Sequence, residues 1–228
     1  MATHLDLQEQ EQIDELKAFW KRYGNLLTWL VTLALLAYAA FNGWNWWQRD
    51  QSLKASAMFA ELERVAGAGD KERINAVWGD LKSRYPSTIY AQQGALLSAQ
   101  ALGSKGDVEQ AQAALEWLSK EGSEDEYKAV ARLRLAGLLL EQNKSSEALA
   151  WLDKASGMGF DPLVQDRRGD AHLIMGNNDE ARKAFEAAYK AMTPDVEYRR
   201  LIEAKLMSLG VDPKSLDAPA TQKAKEKA

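Results

Sequence analysis

Gly106-Asp107-Val108-Glu109-Gln110-Ala111, Asn143-Lys144-Ser145-Ser146-Glu147-Ala148 and Gly176-Asn177-Asn178-Asp179-Glu180-Ala181 are one phrase written three times. Each opens with Gly or Asn, which end helices in a left-handed turn, passes a polar residue able to cap the next helix, and reaches a small alanine. Four and seven residues after that alanine stand Leu115 and Leu118, Leu152 and Ala155, Phe185 and Ala188. Twelve residues before it stand Ala99, Ala136 and Gly169, again small. Paired small positions let two helices cross closely, and the larger apolar residues fill the space beside the crossing. Throughout residues 49–210 the apolar positions recur at three and four, with Gly, Asn and Pro at segment ends, so this region is predicted to be all-α.

The alanines at 111, 148 and 181 lie 37 and 33 residues apart. That spacing brackets the ~34-residue tetratricopeptide period. The predicted fold is an N-terminal transmembrane helix followed by a tetratricopeptide-like right-handed solenoid of helix pairs with a C-terminal capping helix. An unrelated helical bundle with alanine-rich crossings is the competing arrangement. A looser pair precedes the repeats, with helices at 48–65 and 71–85 broken at Gly67-Ala68-Gly69-Asp70. Beyond Pro194, residues 195–209 are expected to cap the last apolar face. Residues 211–228, with Pro213, Pro219 and alternating Lys, Glu and Ala, have little to bury and are expected to be a disordered tail.

Upstream, residues 23–48 carry no charge and are bounded by Lys21 and Arg22 on one side and Arg49 and Asp50 on the other. At ~1.5 Å per residue the apolar part can cross a hydrocarbon core of ~30 Å. A cleaved signal peptide and a buried core helix are the rivals. Ala37-Tyr38-Ala39 has the form of a cleavage site, but residues 1–22 hold Asp6, Glu9, Glu11, Asp14 and Glu15 against Lys17, Lys21 and Arg22, where a signal peptide begins basic. An uncleaved anchor in the lipid bilayer is the better reading. Trp20 and Tyr23 at one end, and Trp44, Trp46 and Trp47 at the other, are expected to sit at the two membrane interfaces. Ile13, Leu16, Phe19 and Trp20 predict an amphipathic helical lead-in over residues 13–22, and its acidic start, residues 6–15, is expected to be mobile. Lys and Arg near the two ends are balanced, so orientation is not fixed by charge.

The 228 residues suit one span and one domain. A net charge of -4, with no long block of one sign, excludes a nucleic-acid footprint. There is no cysteine, hence no disulfide, thiolate nucleophile or lipidated cysteine. His4 lies in the tail, and His172 falls where the repeat places a packing side chain. Neither a phosphate loop nor a metal-ligand spacing is present, so a non-enzyme without metal or cofactor is expected.

Repeats of this type present a groove formed by the first helix of each pair. By repeat phase Leu96, Gln100, Val130, Leu133, Leu140, Asp166, Asp170 and Leu173 should face it, as an apolar strip with an acidic end. The basic clamp that some such domains use for a chain-terminal carboxylate is missing, because Leu96, Gln100, Leu133 and Gly137 occupy its positions.

Three features together carry a family resemblance: the anchor behind a short acidic-then-aromatic tail, Tyr85-Pro86-Ser87-Thr88-Ile89-Tyr90-Ala91, and the helix Lys128-Ala129-Val130-Ala131-Arg132-Leu133-Arg134-Leu135-Ala136. Over about residues 9–210 the chain resembles the ancillary SecYEG translocon subunit family of Gram-negative bacteria. The resemblance implies a single-pass inner-membrane protein with residues 1–22 cytoplasmic, 23–48 spanning and 49–210 periplasmic. It also implies association with the SecYEG translocon, with a membrane-anchored periplasmic chaperone of the prolyl-isomerase type, and with newly exported polypeptides. A structural scaffold for cell-wall or secretion machinery is the alternative for any anchored repeat domain.

Overall fold

The computed structural model describes residues 7–217. In order, the helices are α1 (Leu7–Ala68), α2 (Lys71–Arg84), α3 (Ile89–Ser104), α4 (Val108–Glu121), α5 (Asp125–Glu141), α6 (Ser145–Ala155), α7 (Asp161–Ile174), α8 (Asn178–Ala191), α9 (Arg199–Ser208) and α10 (Lys214–Asp217). There is no strand among the described residues. The chain divides into two units between Gln51 and Ser52, inside α1.

In the second unit each helix from α2 to α9 packs on the next, and α5 also packs on α7. This is the order of contact that stacked helix pairs give. The repeat register holds in full: Ala111, Ala148 and Ala181 are buried, and so are Ala99, Ala136 and Gly169 across the crossings. The apolar residues four and seven places on are all buried as well. At Gly169 the approach is closest, since an added Cβ would stand 2.3 Å from Cε1 of the fully buried Phe185. Ala55, Leu62 and Val65 of α1 enter the first core cluster beside Ile74, Trp78 and Leu81. There the rings of Trp78 and Trp117 meet edge to face at 5.0 Å.

The turns explain why the phrase repeats. Gly106, Asn143 and Gly176 have φ of 80°, 59° and 75°, a region that costs a β-carbon least in Gly and Asn. Each turn satisfies the last carbonyls of its helix in the same way. Gly106 N–H donates to Gly103 O and Asp107 N–H to Leu102 O. The pairs Asn143 to Leu140 and Lys144 to Leu139, then Gly176 to Leu173 and Asn177 to His172, repeat it. Capping is less uniform than the sequence suggests. The Asp107 side chain accepts from Gln110 N–H, whereas Lys144 and Asn177 make no side-chain cap.

Between α4 and α5 a buried amide does the work of a cap. Gln92 Oε1 accepts from Ser123 N–H at 3.0 Å and from Glu124 N–H at 3.2 Å. Gln92→Leu strands both amides, so it is expected to cost about 1–3 kcal/mol. Urea unfolding of the detergent-solubilised chain, followed by far-UV circular dichroism, measures the loss.

Two expectations about the ends of the chain change. Residues 7–15, expected to be mobile, are helical within α1, while residues 1–6 lie outside the described residues. The tail expected over 211–228 is packed in its first part. Val211 and Leu216 join Phe185, Ile202 and Leu206 in the third core cluster, and Pro213 is buried. Asp217 accepts from Tyr189 Oη and from the Arg199 guanidinium, at 2.7 Å each. Residues 218–228 lie outside the described residues. The capping helix is α9, whose Ile202 and Leu206 close the apolar face of α8.

In the first unit α1 is the one helix among the described residues long and apolar enough to cross a membrane. Over residues 11–50 its side chains are exposed almost throughout, Trp20, Trp44 and Trp46 among them, so this part is not the core helix of a soluble unit. The Trp20 ring lies over Gly24, where a Cβ would stand 3.1 Å from it. Trp44 and Trp47 pair at 5.2 Å, and Phe19 and Tyr23 at 5.1 Å. Ile13, Leu16 and Trp20 lie together along one side of the helix, with Lys17 and Lys21 beside them.

Candidate protein-binding groove

Val130, Leu133, Arg134, Gly137 and Glu141 recur at three and four along α5, so they share one helix face. That face lines a cavity of about 610 Å³, with Phe160 and Leu163 of the α7 segment opposite and Gln100, Arg167 and Tyr198 around it. A second cavity of about 420 Å³ continues along the same two helices and is lined by Leu140, Asp170, Leu173 and Ile174. Gly137, Glu141 and Arg167 line both, so the two form one trough.

Of the residues expected to face a groove, Gln100, Val130 and Leu133 line the first cavity, and Leu140, Asp170 and Leu173 the second. Leu96 lines neither; it packs against the first core cluster, and its carbonyl accepts from Arg134 Nη1 at 3.3 Å. Asp166 is a correction. Its side chain is 0% exposed, and its carboxylate accepts from Tyr198 Oη and Lys205 Nζ, at 2.8 Å each. It is a buried tie between α7 and the segment that closes the repeats. At that end Asp170 stays in the trough together with Glu141, and the neighbouring Arg167 faces it in place of Asp166.

The charges of this end are coupled. Lys205 Nζ also lies 2.7 Å from Asp170, and Arg167 Nη1 stands 3.5 Å from the same carboxylate. Burial pushes the Asp170 carboxyl above its usual range, against the opposing hydrogen bond and charge of Lys205. Tyr198 is pushed up to about 12, first by burial and then by its hydrogen bond to Asp166. Tyr189 is pushed up to about 12 by burial and by Asp217. A phenol that holds its proton more tightly when folded contributes stability that is complete below the unfolded value and is lost as pH rises through the folded one. Stability is therefore expected to fall between about pH 10 and 12, and the slope to lessen in a Tyr189→Phe, Tyr198→Phe chain. Urea midpoints measured across that range test this.

His172 lies beside a shallow hollow with Gln165 and Arg168, its Nδ1 buried without a hydrogen-bond partner. Among the described residues no group of three His, Cys, Asp or Glu could hold a metal ion. Arg134, Glu141 and Arg167 were missed by repeat phase alone, although their spacing along α5 and α7 was open to view, whereas Gly137 was already placed there as one of the positions of the absent clamp. Trp20, Tyr23, Trp44, Trp46 and Trp47 all lie in the other unit, spread along α1.

Comparison with known proteins follows the same outline. A tetratricopeptide repeat-like domain model matches residues 17–211. An ancillary SecYEG translocon subunit of Neisseria gonorrhoeae is 32% identical over 92% of this chain and 100% of its own length. The protein of that name from Escherichia coli is 28% identical, over 89% of this chain and 97% of its own. That from Haemophilus influenzae is 22% identical, over 81% and 90%. No solved structure matches the chain.

Proposed function

We propose, from the premise that the chain belongs to the tetratricopeptide repeat-like family of ancillary SecYEG translocon subunits, that it is a non-catalytic accessory factor of the protein-export channel. The observation that carries the binding role is the trough along α5 and α7. It has an apolar floor, two guanidiniums at its edge and room for a segment of another protein. The relatives' shared name supports the SecYEG translocon as partner. In this reading residues 23–48 anchor the chain in the inner membrane with residues 1–22 cytoplasmic. Residues 49–210 are periplasmic, where a membrane-anchored prolyl-isomerase-type chaperone and newly exported polypeptides are available to the trough. The aromatic residues at both ends of the apolar stretch support the anchor, through the preference of indole and phenol rings for headgroup depth.

Two measurements test the reading. Purification in mild detergent is expected to recover translocon subunits with the chain; recovery of wall-assembly proteins in their place would favour a scaffold. Because the chain has no cysteine, a Lys183→Cys variant reports topology directly. Labelling by an impermeant maleimide at the outer face of the inner membrane is expected, and protection there would reverse the orientation.

A further inference from the structure

Arg132 of α5 is a cation that meets no carboxylate among the described residues. Its Nη1 donates to Lys154 O and lies 2.8 Å from Met158 Sδ, its Nη2 donates to Ser119 O at 3.3 Å, and its Nε is buried without a partner. Two peptide carbonyls and a thioether therefore face the guanidinium. A thioether accepts only weakly, whereas a hydrogen bond from a guanidinium to a strongly polar oxygen is among the strong ones. The cation thus stands against a group that becomes a good acceptor only after oxygen has been added to it.

Met158 is half-buried in the α6–α7 turn, between Gly157 and Gly159, whose φ are 76° and 86°. A Cβ at either glycine would meet no heavy atom within 4 Å, so the turn has room to shift. At a sulfur-to-nitrogen distance of 2.8 Å an added oxygen cannot stand between Sδ and Nη1, and the turn or the guanidinium must give way. Phe160, two residues on, lines the trough opposite α5, and its carbonyl accepts from Leu163 and Val164 N–H in the first turn of α7. Met175 and Met207 are exposed too. What sets Met158 apart is the guanidinium on its sulfur and the trough wall beside it. We infer that Met158 is a site of reversible modification by peroxide, and that its sulfoxide, held by Arg132, displaces the Phe160 wall of the trough. In the step a sulfur lone pair attacks one oxygen of hydrogen peroxide and the O–O bond breaks. The delivered oxygen passes its proton to the departing hydroxide and water leaves, so sulfur gives up two electrons and the peroxide takes them. Methionine sulfoxide reductases, one for each sulfoxide epimer, reverse the change.

The test treats the full chain in detergent with hydrogen peroxide and follows it by peptide mass spectrometry and amide exchange. One added oxygen is expected on the peptide that holds Met158. Exchange at Leu163 and Val164 is expected to quicken at least ~fivefold, the factor that one lost hydrogen bond gives. Met158→Leu is expected to remove that response, and Met175→Leu with Met207→Leu to leave it in place. Met158→Gln, whose side-chain carbonyl stands in for the sulfoxide oxygen, is expected to show the faster exchange without peroxide. Incubation of the oxidised chain with both classes of reductase is expected to restore the slow exchange. Met158 left as a thioether by peroxide that oxidises Met175 and Met207 overturns the inference. So does unchanged exchange in a chain oxidised at Met158, or a response that persists in Met158→Leu. The modification needs no partner, so a chain that fails these tests yet recovers the translocon loses this inference alone.

Discussion

Lys205→Met is expected to destabilise the repeat unit by about 3–5 kcal/mol, the range for removing one partner of a buried ion pair. Asp166 has no exposed side-chain surface, and Lys205 is the cation in contact with it. The methionine keeps most of the side-chain volume, so what is lost is charge. Asp166 would be left with the Tyr198 hydroxyl, facing Asp170 without the ammonium that now binds both. The deficit is expected to shrink as pH is lowered. Burial already raises the Asp170 carboxyl and Lys205 opposes that rise. Without Lys205 the folded state holds a proton there more tightly than the unfolded chain, so stability increases as pH falls through the raised value. Asp166→Asn added to Lys205→Met is expected to recover much of the loss, because it removes the uncompensated charge. Amide exchange in α7 and α9 localises the effect, and urea midpoints measure it.

Gly169→Ala is the second large effect. The new methyl would fall 2.3–2.6 Å from three atoms of the Phe185 ring, which is fully buried and has Lys205 Nζ 5.1 Å from its centroid. Overpacking of this kind costs about 1–3 kcal/mol. Phe185→Ala, which empties the same space, is expected to cost about 3–5 kcal/mol. The diagnostic result is non-additivity: Gly169→Ala with Phe185→Leu is expected to lose less than the two single changes together, since the alanine fills volume that the ring vacates. Additive losses would mean that α7 and α8 shift apart to accommodate the methyl.

These two effects mark the limits of what the sequence discloses. The register of Ala111, Ala148 and Ala181, and the turns at Gly106, Asn143 and Gly176, were legible because each depends on local backbone geometry and a fixed period. Asp166 was not. It stands three residues before Gly169 and so shares the crossing face, yet a carboxylate is assigned to solvent by default. Its partner Lys205 lies in α9, at a separation no periodicity reports. One residue on, helix geometry turns the side chain by about 100°, which carries Arg167 into the trough where Asp166 had been expected. The packing of residues 211–217 was hidden in the same way. Gly210, with φ of 75°, closes α9 as the other turn glycines close theirs, and Val211 and Leu216 then meet the apolar surface around Phe185.

The central claim is that the trough along α5 and α7 is where partners of the export machinery are held, and photo-crosslinking in living cells tests it most directly. A photoreactive amino acid at Leu133, on the trough floor, is expected to give light-dependent adducts with translocon subunits, the prolyl-isomerase-type chaperone or polypeptides in transit. The same probe at Lys183, on the exposed side of α8, is expected to give none, and Gly137→Leu is expected to abolish the Leu133 adducts. Adducts at Lys183 but not at Leu133, or adducts at Leu133 with wall-assembly proteins alone, would contradict it.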